Sequence, residues 1–243
     1  VTNAPEPALY WDMAEPYHYT TVYENGEGTH LLVGGADNKT GQQKDSPHPY
    51  QDLNRYIEKR YQVEARGQQW SSQFYEPADG LPYIGKTPFS GAHIATGFSG
   101  DGMVYGTLAG EILADKILGN KNSFGNLYDA NRFEPLASGE NFVKGNMEVA
   151  VHLVKDWLSS EDLKDIKPGE GRVVQRGTKK LAVSMDASGG LTALSAVCPH
   201  MGCIVAWNAE SKSWDCPCHG SRFEPDGEVL NAPATHGLKR EQP

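Results

Sequence analysis

The sequence lacks a long apolar run and an excess of basic residues. It has 243 residues, a formal net charge of −9 at pH 7, an isoelectric point near 5.4 and a mean hydropathy of −0.54. An acidic chain is a poor partner for nucleic acids and anionic membranes, and no apolar run approaches the roughly 18 residues of a membrane span. We therefore expect no nucleic-acid partner, no membrane anchor and a cytoplasmic location.

Cysteine is scarce, and all four cysteines fall in two short segments, C-P-H-M-G-C at 198–203 and C-P-C-H-G-S at 216–221. Their spacing, C-x-H-x15-C-x2-H, resembles the Rieske [2Fe–2S] motif, in which thiolates hold one iron and imidazoles hold the other. The resemblance implies one-electron transfer. Its four cluster ligands would be Cys198, His200, Cys216 and His219. Two Cys and two His also suit structural zinc, which would leave the two further cysteines unexplained.

The same resemblance assigns roles to the residues around the ligands. Cys203 and Cys218 match a pair that forms a disulfide in the respiratory-type branch of the family. Ser221 matches a serine that bonds a bridging sulfide, whereas Phe223 stands where high-potential members carry a tyrosine that bonds a ligand sulfur. Pro233 lies in a segment similar to the loop that covers the cluster. With one donor lost, we expect a lower reduction potential than in the respiratory proteins.

A second group of motifs lies upstream. The run D-G-L-P-Y-I-G at 79–85 precedes G-F-S-G-D-G-M at 97–103, after which a helix is expected. The pair resembles FAD-dependent oxidoreductases of the D-amino-acid oxidase and glycine oxidase type. The resemblance implies FAD as a cofactor, held beside a helix N-terminus. The residues beside the flavin would be Gly97, Phe98, Ser99, Gly100, Asp101, Gly102 and Met103. The alternative is an ordinary glycine-rich turn between a strand and a helix.

Two absences bear on the flavin resemblance. No G-x-G-x-x-G follows a predicted strand, although this motif holds the FAD diphosphate in such enzymes. The chain also begins at Val1, without an initiator methionine, in sequence that reads as structured. We therefore expect the C-terminal fragment of a longer flavoprotein, with FAD bound only when the missing N-terminal half is present.

The predicted fold class is α+β, with a partial oxidoreductase domain of the D-amino-acid oxidase type followed by an all-β Rieske domain. The predicted domains are residues 1–138 for the C-terminal half of the oxidoreductase module, 139–168 for a helix and linker, and 169–243 for the Rieske domain. The predicted elements are a hairpin of Tyr17–Tyr23 and Thr29–Gly34, helices over Pro49–Val63 and Glu140–Ser159, and strands Gly171–Val174, Lys180–Met185, Leu191–Val197, Ile204–Trp207 and Ser213–Asp215. In the second helix, Phe142, Val149, Leu153 and Trp157 form the apolar stripe.

The two resemblances together imply electron transfer through a Rieske cluster coupled to an FAD-dependent oxidoreductase, in either direction. They imply a redox partner protein or a small-molecule electron acceptor, and they indicate no catalytic residue. The alternative is a Rieske electron-transfer protein whose N-terminal half is only a binding or docking module. A Rieske oxygenase is disfavoured, because only His236 follows the motif, and the oxygenase iron needs two His and a carboxylate.

The segment before D-G-L-P bears on the substrate. Amino-acid-oxidising relatives commonly carry an arginine there, which grips a substrate carboxylate. Residues 70–76 contain no arginine, and Arg60 and Arg66 lie further upstream. This predicts a substrate without an essential free carboxylate, or one whose carboxylate is held elsewhere.

Overall fold

The computed structural model describes residues 1, 3–26, 28–42, 49–132, 135–162 and 164–242. Two compact units are present, one formed by Val1–Ser71 with Val149–Pro243 and the other by Ser72–Glu148. The described helices are α1 (Pro49–Arg60), α2 (Gly102–Leu118) and α3 (Pro135–Leu158). The strands are β1 (Leu9–Trp11), β2 (His18–Asn25), β3 (Gly28–Gly35), β4 (Tyr83–Lys86), β5 (His93–Thr96), β6 (Gly171–Arg176), β7 (Lys179–Met185), β8 (Leu191–Ser195), β9 (Ala206–Asn208), β10 (Ser213–Asp215), β11 (Arg222–Phe223) and β12 (Val229–Asn231).

The N-terminal sheet has the order β1-β2-β3 and is antiparallel throughout. The predicted hairpin is confirmed as β2 and β3. In β2, Thr20 and Val22 are buried on the same face of the sheet, because side chains two residues apart in a strand point the same way. Helix α1 packs beside β3, and the ring of Tyr56 stacks on that of His18 with centroids 4.2 Å apart. The helix ends at Arg60 rather than at the predicted Val63.

The unit Ser72–Glu148 is built from the hairpin of β4 and β5 and from helix α2. Its core centres on Ile84, Ala109 and Ile112, with Leu108 and Leu113 packed against them. Gly119 ends α2 in the left-handed conformation, with φ of 75°, which glycine adopts at little cost.

Helix α3 begins at Pro135, earlier than the predicted Glu140. Of the predicted apolar stripe, Val149 is half-buried, whereas Leu153 and Trp157 are about 40% exposed, at 41% and 40%. The side chain of Phe142 lies outside the described residues. None of the helices in the described ranges has both the length and the apolar character needed to cross a bilayer.

The C-terminal strands form two antiparallel sheets, β6-β7-β8 and β12-β11-β10-β9. Both sheets contribute to one core, in which the fully buried Trp214 and Phe223 are cross-strand neighbours. At Gly171 the ring of Trp207 lies so close that an added Cβ would meet it at 2.4 Å. The all-β character predicted for this region is confirmed. Strand β9 begins later than predicted because Ile204 instead bridges Val197.

Candidate iron–sulfur site and flavin-facing turn

The two cysteine-containing segments form two loops with the same backbone design. In cluster loop 1 (residues 198–203), the Cys198 N–H donates to the Cys203 carbonyl at 2.8 Å, and the Gly202 N–H donates back to the Cys198 carbonyl at 2.9 Å. In cluster loop 2 (residues 216–221), Cys216, Ser221 and Gly220 repeat these two bonds at 2.8 and 3.0 Å. Each loop is therefore closed by its own backbone before any cofactor contributes.

A disulfide joins the two loops. Cys203 and Cys218 are bonded, with Cα atoms 6.5 Å apart, so the predicted pairing is present. Cys198 and Cys216 remain as free thiols, and each is only 1% exposed. The two extra cysteines are thus accounted for by a covalent link between the loops, and two thiols are left to bind metal.

The two predicted imidazole ligands lie next to each other. The rings of His200 and His219 are perpendicular, with centroids 4.8 Å apart, and His200 is exposed whereas His219 is half-buried. Within the described part of the chain, Nδ1 of His219 is buried and has no hydrogen-bond partner. A buried polar nitrogen without a partner is costly, so this atom is well suited to be a metal ligand.

The electrostatics favour the metal-binding protonation state at two of the candidate ligands, Cys198 and His219. A hydrogen bond from the Cys216 thiol lowers the pKa of Cys198 to about 6, with a smaller contribution from the Ser221 hydroxyl. The Cys198 sulfur and burial in turn raise the pKa of Cys216. Burial, followed by the charge of His200, lowers the pKa of His219 and keeps its imidazole neutral. Thiolate and neutral imidazole are the forms that ligate metals.

Ser221 connects cluster loop 2 to the segment that contains Pro233. Its fully buried hydroxyl accepts a hydrogen bond from the Ala234 N–H at 2.9 Å. Phe223 is fully buried in the same core as both thiols, and its side chain has no hydroxyl to donate. Of the residues chosen from the resemblance, Phe223 thus packs in the core that contains both thiols, and Ser221 bonds the residue that follows Pro233.

Sequence reasoning missed a buried polar network directly before cluster loop 2. The Asp215 carboxylate, 2% exposed, accepts hydrogen bonds from Asn208 Nδ2 at 2.9 Å, Ser213 Oγ at 2.8 Å and Arg222 Nε at 3.0 Å. The network fixes the strands that enter and leave the loop. The only sequence signal for it is an aspartate adjoining a ligand cysteine, which is too common to be informative.

In the unit Ser72–Glu148, residues 97–101 form the turn between β5 and α2, and Gly102 and Met103 are the first two residues of α2, so the predicted segment opens a helix as expected. Asp101 stands at the N-cap but makes no side-chain capping bond, and the first turn of α2 has no acidic residue. Gly100 and Gly102 face open space, because an added Cβ would meet nothing within 4 Å. An uncapped helix N-terminus behind an open glycine turn can accept an electron-rich ligand.

The D-G-L-P segment before this turn is held by an arginine that sequence reasoning missed. Arg132 binds both oxygens of Asp79 at 2.7 Å, donates to the Pro82 carbonyl at 2.6 Å and lies 3.9 Å from the ring centre of Tyr83. The two charged side chains are 7% and 5% exposed. Arg132 is fully engaged by these partners and is not positioned as a carboxylate clamp.

Comparison with known proteins identifies both parts of the chain. The family model described as "Rieske [2Fe-2S] domain" matches residues 156–241, and the one described as "FAD dependent oxidoreductase" matches residues 1–116. The chain joins an FAD-dependent oxidoreductase domain to a Rieske domain.

Individual relatives agree with this division. The Rieske 2Fe-2S iron–sulfur protein YhfW of Bacillus subtilis (strain 168) is 35% identical over 239 residues, which are 96% of this chain and 46% of YhfW. A cytochrome b6-f complex iron–sulfur subunit of Chlorobaculum tepidum is 37% identical over 76 residues, or 31% of this chain and 41% of the subunit. The chain thus spans less than half the length of either relative.

Among solved structures, the plasma membrane Rieske protein PetC3 of Synechocystis PCC 6803 is 30% identical. The match covers 30% of this chain and 74% of PetC3, with a TM-score of 0.28. The cofactor of the Rieske family is a [2Fe–2S] cluster and that of the oxidoreductase family is FAD. The free thiols, the unpartnered His219 nitrogen and the open turn at residues 97–103 fit these two groups.

Proposed function

We propose that this chain carries electrons one at a time through a [2Fe–2S] cluster in its Rieske domain, coupled to an FAD-dependent oxidoreductase. One observation carries the proposal: two buried free thiols and two adjacent imidazoles meet at loops that a disulfide already joins. Structural zinc would use the same four side chains, but the match of residues 156–241 to the Rieske family favours the cluster.

In this proposal Cys198, Cys216, His200 and His219 hold the cluster. When bound, the cluster supplies a one-electron redox centre. The burial of both thiols keeps water away from the sulfur ligands, whereas the exposed His200, with Met201 63% exposed beside it, offers an approach for a redox partner. We propose that this partner is a second redox protein or a small-molecule acceptor.

The oxidoreductase part would hold the flavin at residues 97–103. When bound, FAD exchanges two electrons with a substrate and can pass them on singly. The N–H groups at the start of α2 would stabilise negative charge on the flavin, and Gly100 and Gly102 leave room for the ring to approach the backbone. In the same unit, Arg132 holds the D-G-L-P segment in place through its ion pair with Asp79.

The proposed substrate lacks an essential free carboxylate, or has one that is held by a residue outside the segment before D-G-L-P. Arg60 lies over the ring of Tyr56, Arg66 pairs with Glu58, and Arg132 pairs with Asp79. These arginines are therefore committed elsewhere, and each would have to leave its partner to bind a substrate carboxylate. Turnover of D- and L-amino acids, glycine and sarcosine by the natural protein, with an artificial acceptor, tests this; efficient turnover of any of them would refute it.

The test of the main proposal is anaerobic reduction of the natural protein that contains this chain. Chemical reduction should produce the EPR signal of a Rieske cluster, and addition of substrate should reduce flavin and cluster in the same molecule. Stoichiometric zinc without iron would refute the cluster. A cluster without any flavin would support the docking-module alternative for the N-terminal half. The proposal includes a cytoplasmic location, which fractionation of cells expressing tagged protein checks.

A further inference from the structure

A turn in the oxidoreductase domain contacts the backbone of cluster loop 2. The turn is closed by a hydrogen bond from the Gln42 N–H to the Lys39 carbonyl at 3.2 Å, and Gly41 adopts a left-handed φ of 75°. A Cβ at Gly41 would lie 2.6 Å from the Pro217 nitrogen, 2.8 Å from the Pro217 Cα and 2.9 Å from the Cys216 carbonyl carbon. The contact is therefore with the peptide that joins a candidate ligand to its neighbour.

At position 41 this contact leaves room only for glycine. Distances below 3.0 Å between a Cβ and other carbons are essentially absent from real proteins, and the atoms concerned belong to the backbone. No rotamer change can relieve such a clash, because only a shift of one of the two segments would. Pro217 is itself buried. Loop 2 is thus packed against a segment far from it in sequence.

Cluster loop 1 is contacted from outside the β-strands as well. In α3, the indole Nε1 of Trp157 donates a hydrogen bond to the Gly202 carbonyl at 3.1 Å. Helix α3 also approaches cluster loop 2, where the Cys218 sulfur lies 3.9 Å from the Val149 carbonyl oxygen. The residue that directly follows α3 is bound to the sheet, since the buried Lys180 of β7 donates to the Ser159 carbonyl.

We propose that Gly41 and Trp157 are positioning residues for the cluster. Gly41 fixes cluster loop 2 against the turn Lys39–Gln42, Trp157 fixes cluster loop 1 against α3, and together they set the geometry of the cluster's surroundings and hence its reduction potential. This inference rests on the proposed function, because it assumes that the loops hold a [2Fe–2S] cluster. It makes the Rieske loops dependent on segments that precede their own strands.

The first test compares Gly41→Ala with Gly119→Ala in the full chain. Both glycines have φ of 75°, but a Cβ at Gly119 would meet nothing within 4 Å, so the backbone strain is matched and the clash is not. We expect a larger loss in melting temperature in Gly41→Ala than in Gly119→Ala, because the clash adds to the backbone strain that both share, together with a shifted potential and altered EPR line shape in Gly41→Ala alone. Equal potentials and spectra in wild type and both variants would overturn the role of Gly41.

The second test does not depend on backbone strain, and it decides the matter if Gly41→Ala fails to fold. Trp157→Phe removes the donor to Gly202 and keeps an aromatic ring, whereas Trp70→Phe changes a tryptophan that is 64% exposed. We expect a shifted potential only in Trp157→Phe. A wild-type potential in Trp157→Phe would overturn the role of Trp157.

A third measurement separates failure of this inference from failure of the proposed function. The rate at which dithiothreitol reduces the Cys203–Cys218 disulfide can be followed in protein without metal. The disulfide should be reduced several-fold faster in Gly41→Ala and in Trp157→Phe than in their controls, because loosened loops expose it. If the disulfide is reduced faster in both variants but the protein never binds iron, the cluster is refuted and the loop contacts are supported. If the rate of disulfide reduction is the same in the variants and their controls, the loop contacts themselves are refuted.

Discussion

At the scale of single residues, the hydrogen-bond donors around the thiols determine how the cluster would behave. Ser221 provides a buried hydroxyl that helps to lower the pKa of the Cys198 thiol, while Phe223 fills the neighbouring core without offering a donor. Donors to cluster or ligand sulfurs stabilise the more negative, reduced state and so raise the potential. One donor present and one absent predicts an intermediate potential within the Rieske range.

Ser221→Ala should lower the reduction potential and Phe223→Tyr should raise it. A hydrogen bond that is worth about 1–1.5 kcal/mol more in the reduced state corresponds to a shift of about 45–65 mV for a one-electron couple. Protein-film voltammetry measures both variants against wild type. Unchanged potentials in both would show that these side chains do not bond the cluster or its ligand sulfurs.

The four ligand candidates and the disulfide pair should respond differently to mutation. His200→Ala or His219→Ala should abolish the Rieske spectrum, because the second iron then lacks an imidazole. Cys203→Ser should leave a cluster that assembles but a fold that is less stable. The disulfide closes a loop with a sequence separation of 15, for which chain entropy alone gives about 3 kcal/mol. EPR and denaturant unfolding check the two effects, and equal, complete loss of the cluster in all three variants would contradict this division of roles.

At the scale of elements, a buried ion pair holds the segment that leads into β4. Hydrogen bonds from Arg132 lower the pKa of Asp79, and the two side chains are almost wholly buried. Breaking such a pair leaves an uncompensated buried charge, which is strongly destabilising. The D-G-L-P run is therefore a structural anchor for the β4–β5–α2 unit.

Asp79→Asn should reduce the stability of this unit by about 3–5 kcal/mol. The pair also gives a pH dependence: the pKa of Asp79 lies below its unfolded value of about 3.9, so its contribution is complete above roughly pH 4. It is lost as the pH falls further, through the lowered folded pKa. Unfolding monitored by circular dichroism between pH 2.5 and 7 should show this loss in wild type and a reduced one in Asp79→Asn.

The control is Asp52→Asn in helix α1, whose partner Arg55 is 60% exposed. Exposed ion pairs contribute about 0–1 kcal/mol, so this variant should unfold close to wild type. A loss in Asp52→Asn as large as in Asp79→Asn would mean that burial does not explain the effect.

At the scale of the whole molecule, the two cofactor sites differ in how much of the chain they need. All candidate cluster ligands lie within residues 198–219, on loops closed by their own backbone and by the disulfide. The candidate flavin-binding segment at residues 97–103 is short, and the sequence of 243 residues has no G-x-G-x-x-G motif after a strand, the motif that binds the diphosphate. The cluster site is local and the flavin site is not.

The chain of 243 residues should therefore bind a [2Fe–2S] cluster and little or no FAD. Iron, sulfide, zinc and flavin analysis of the purified chain measures both. Two iron atoms and two sulfides per chain, with flavin well below stoichiometric, is the expected result. Tight stoichiometric FAD would show that residues 97–103 and their surroundings bind the cofactor without that motif.

The sequence by itself determined what depends on local spacing. The ligand candidates, the Cys203–Cys218 pairing and the turn at residues 97–103 follow from the resemblance of short local motifs to known families, and the structure has the disulfide and the turn where expected. The ligand roles and the predicted boundaries near residues 138 and 168 stay predictions. The predicted ends of the elements were less accurate than the elements themselves. Helix α3 begins at Pro135 and strand β9 at Ala206, because contacts with other parts of the fold, such as the bridge between Ile204 and Val197, set these ends.

Only the tertiary structure decided which distant residues support the sites. Arg132 reaches Asp79 across 53 residues and Trp157 reaches Gly202 across 45, while Gly41 meets Pro217 from the other end of the chain. No sequence pattern identifies these partners, because a glycine in a turn or an arginine after a helix is common in proteins. Their roles follow from the path of the chain, because contact between remote segments depends on how the whole core packs and not on any local pattern.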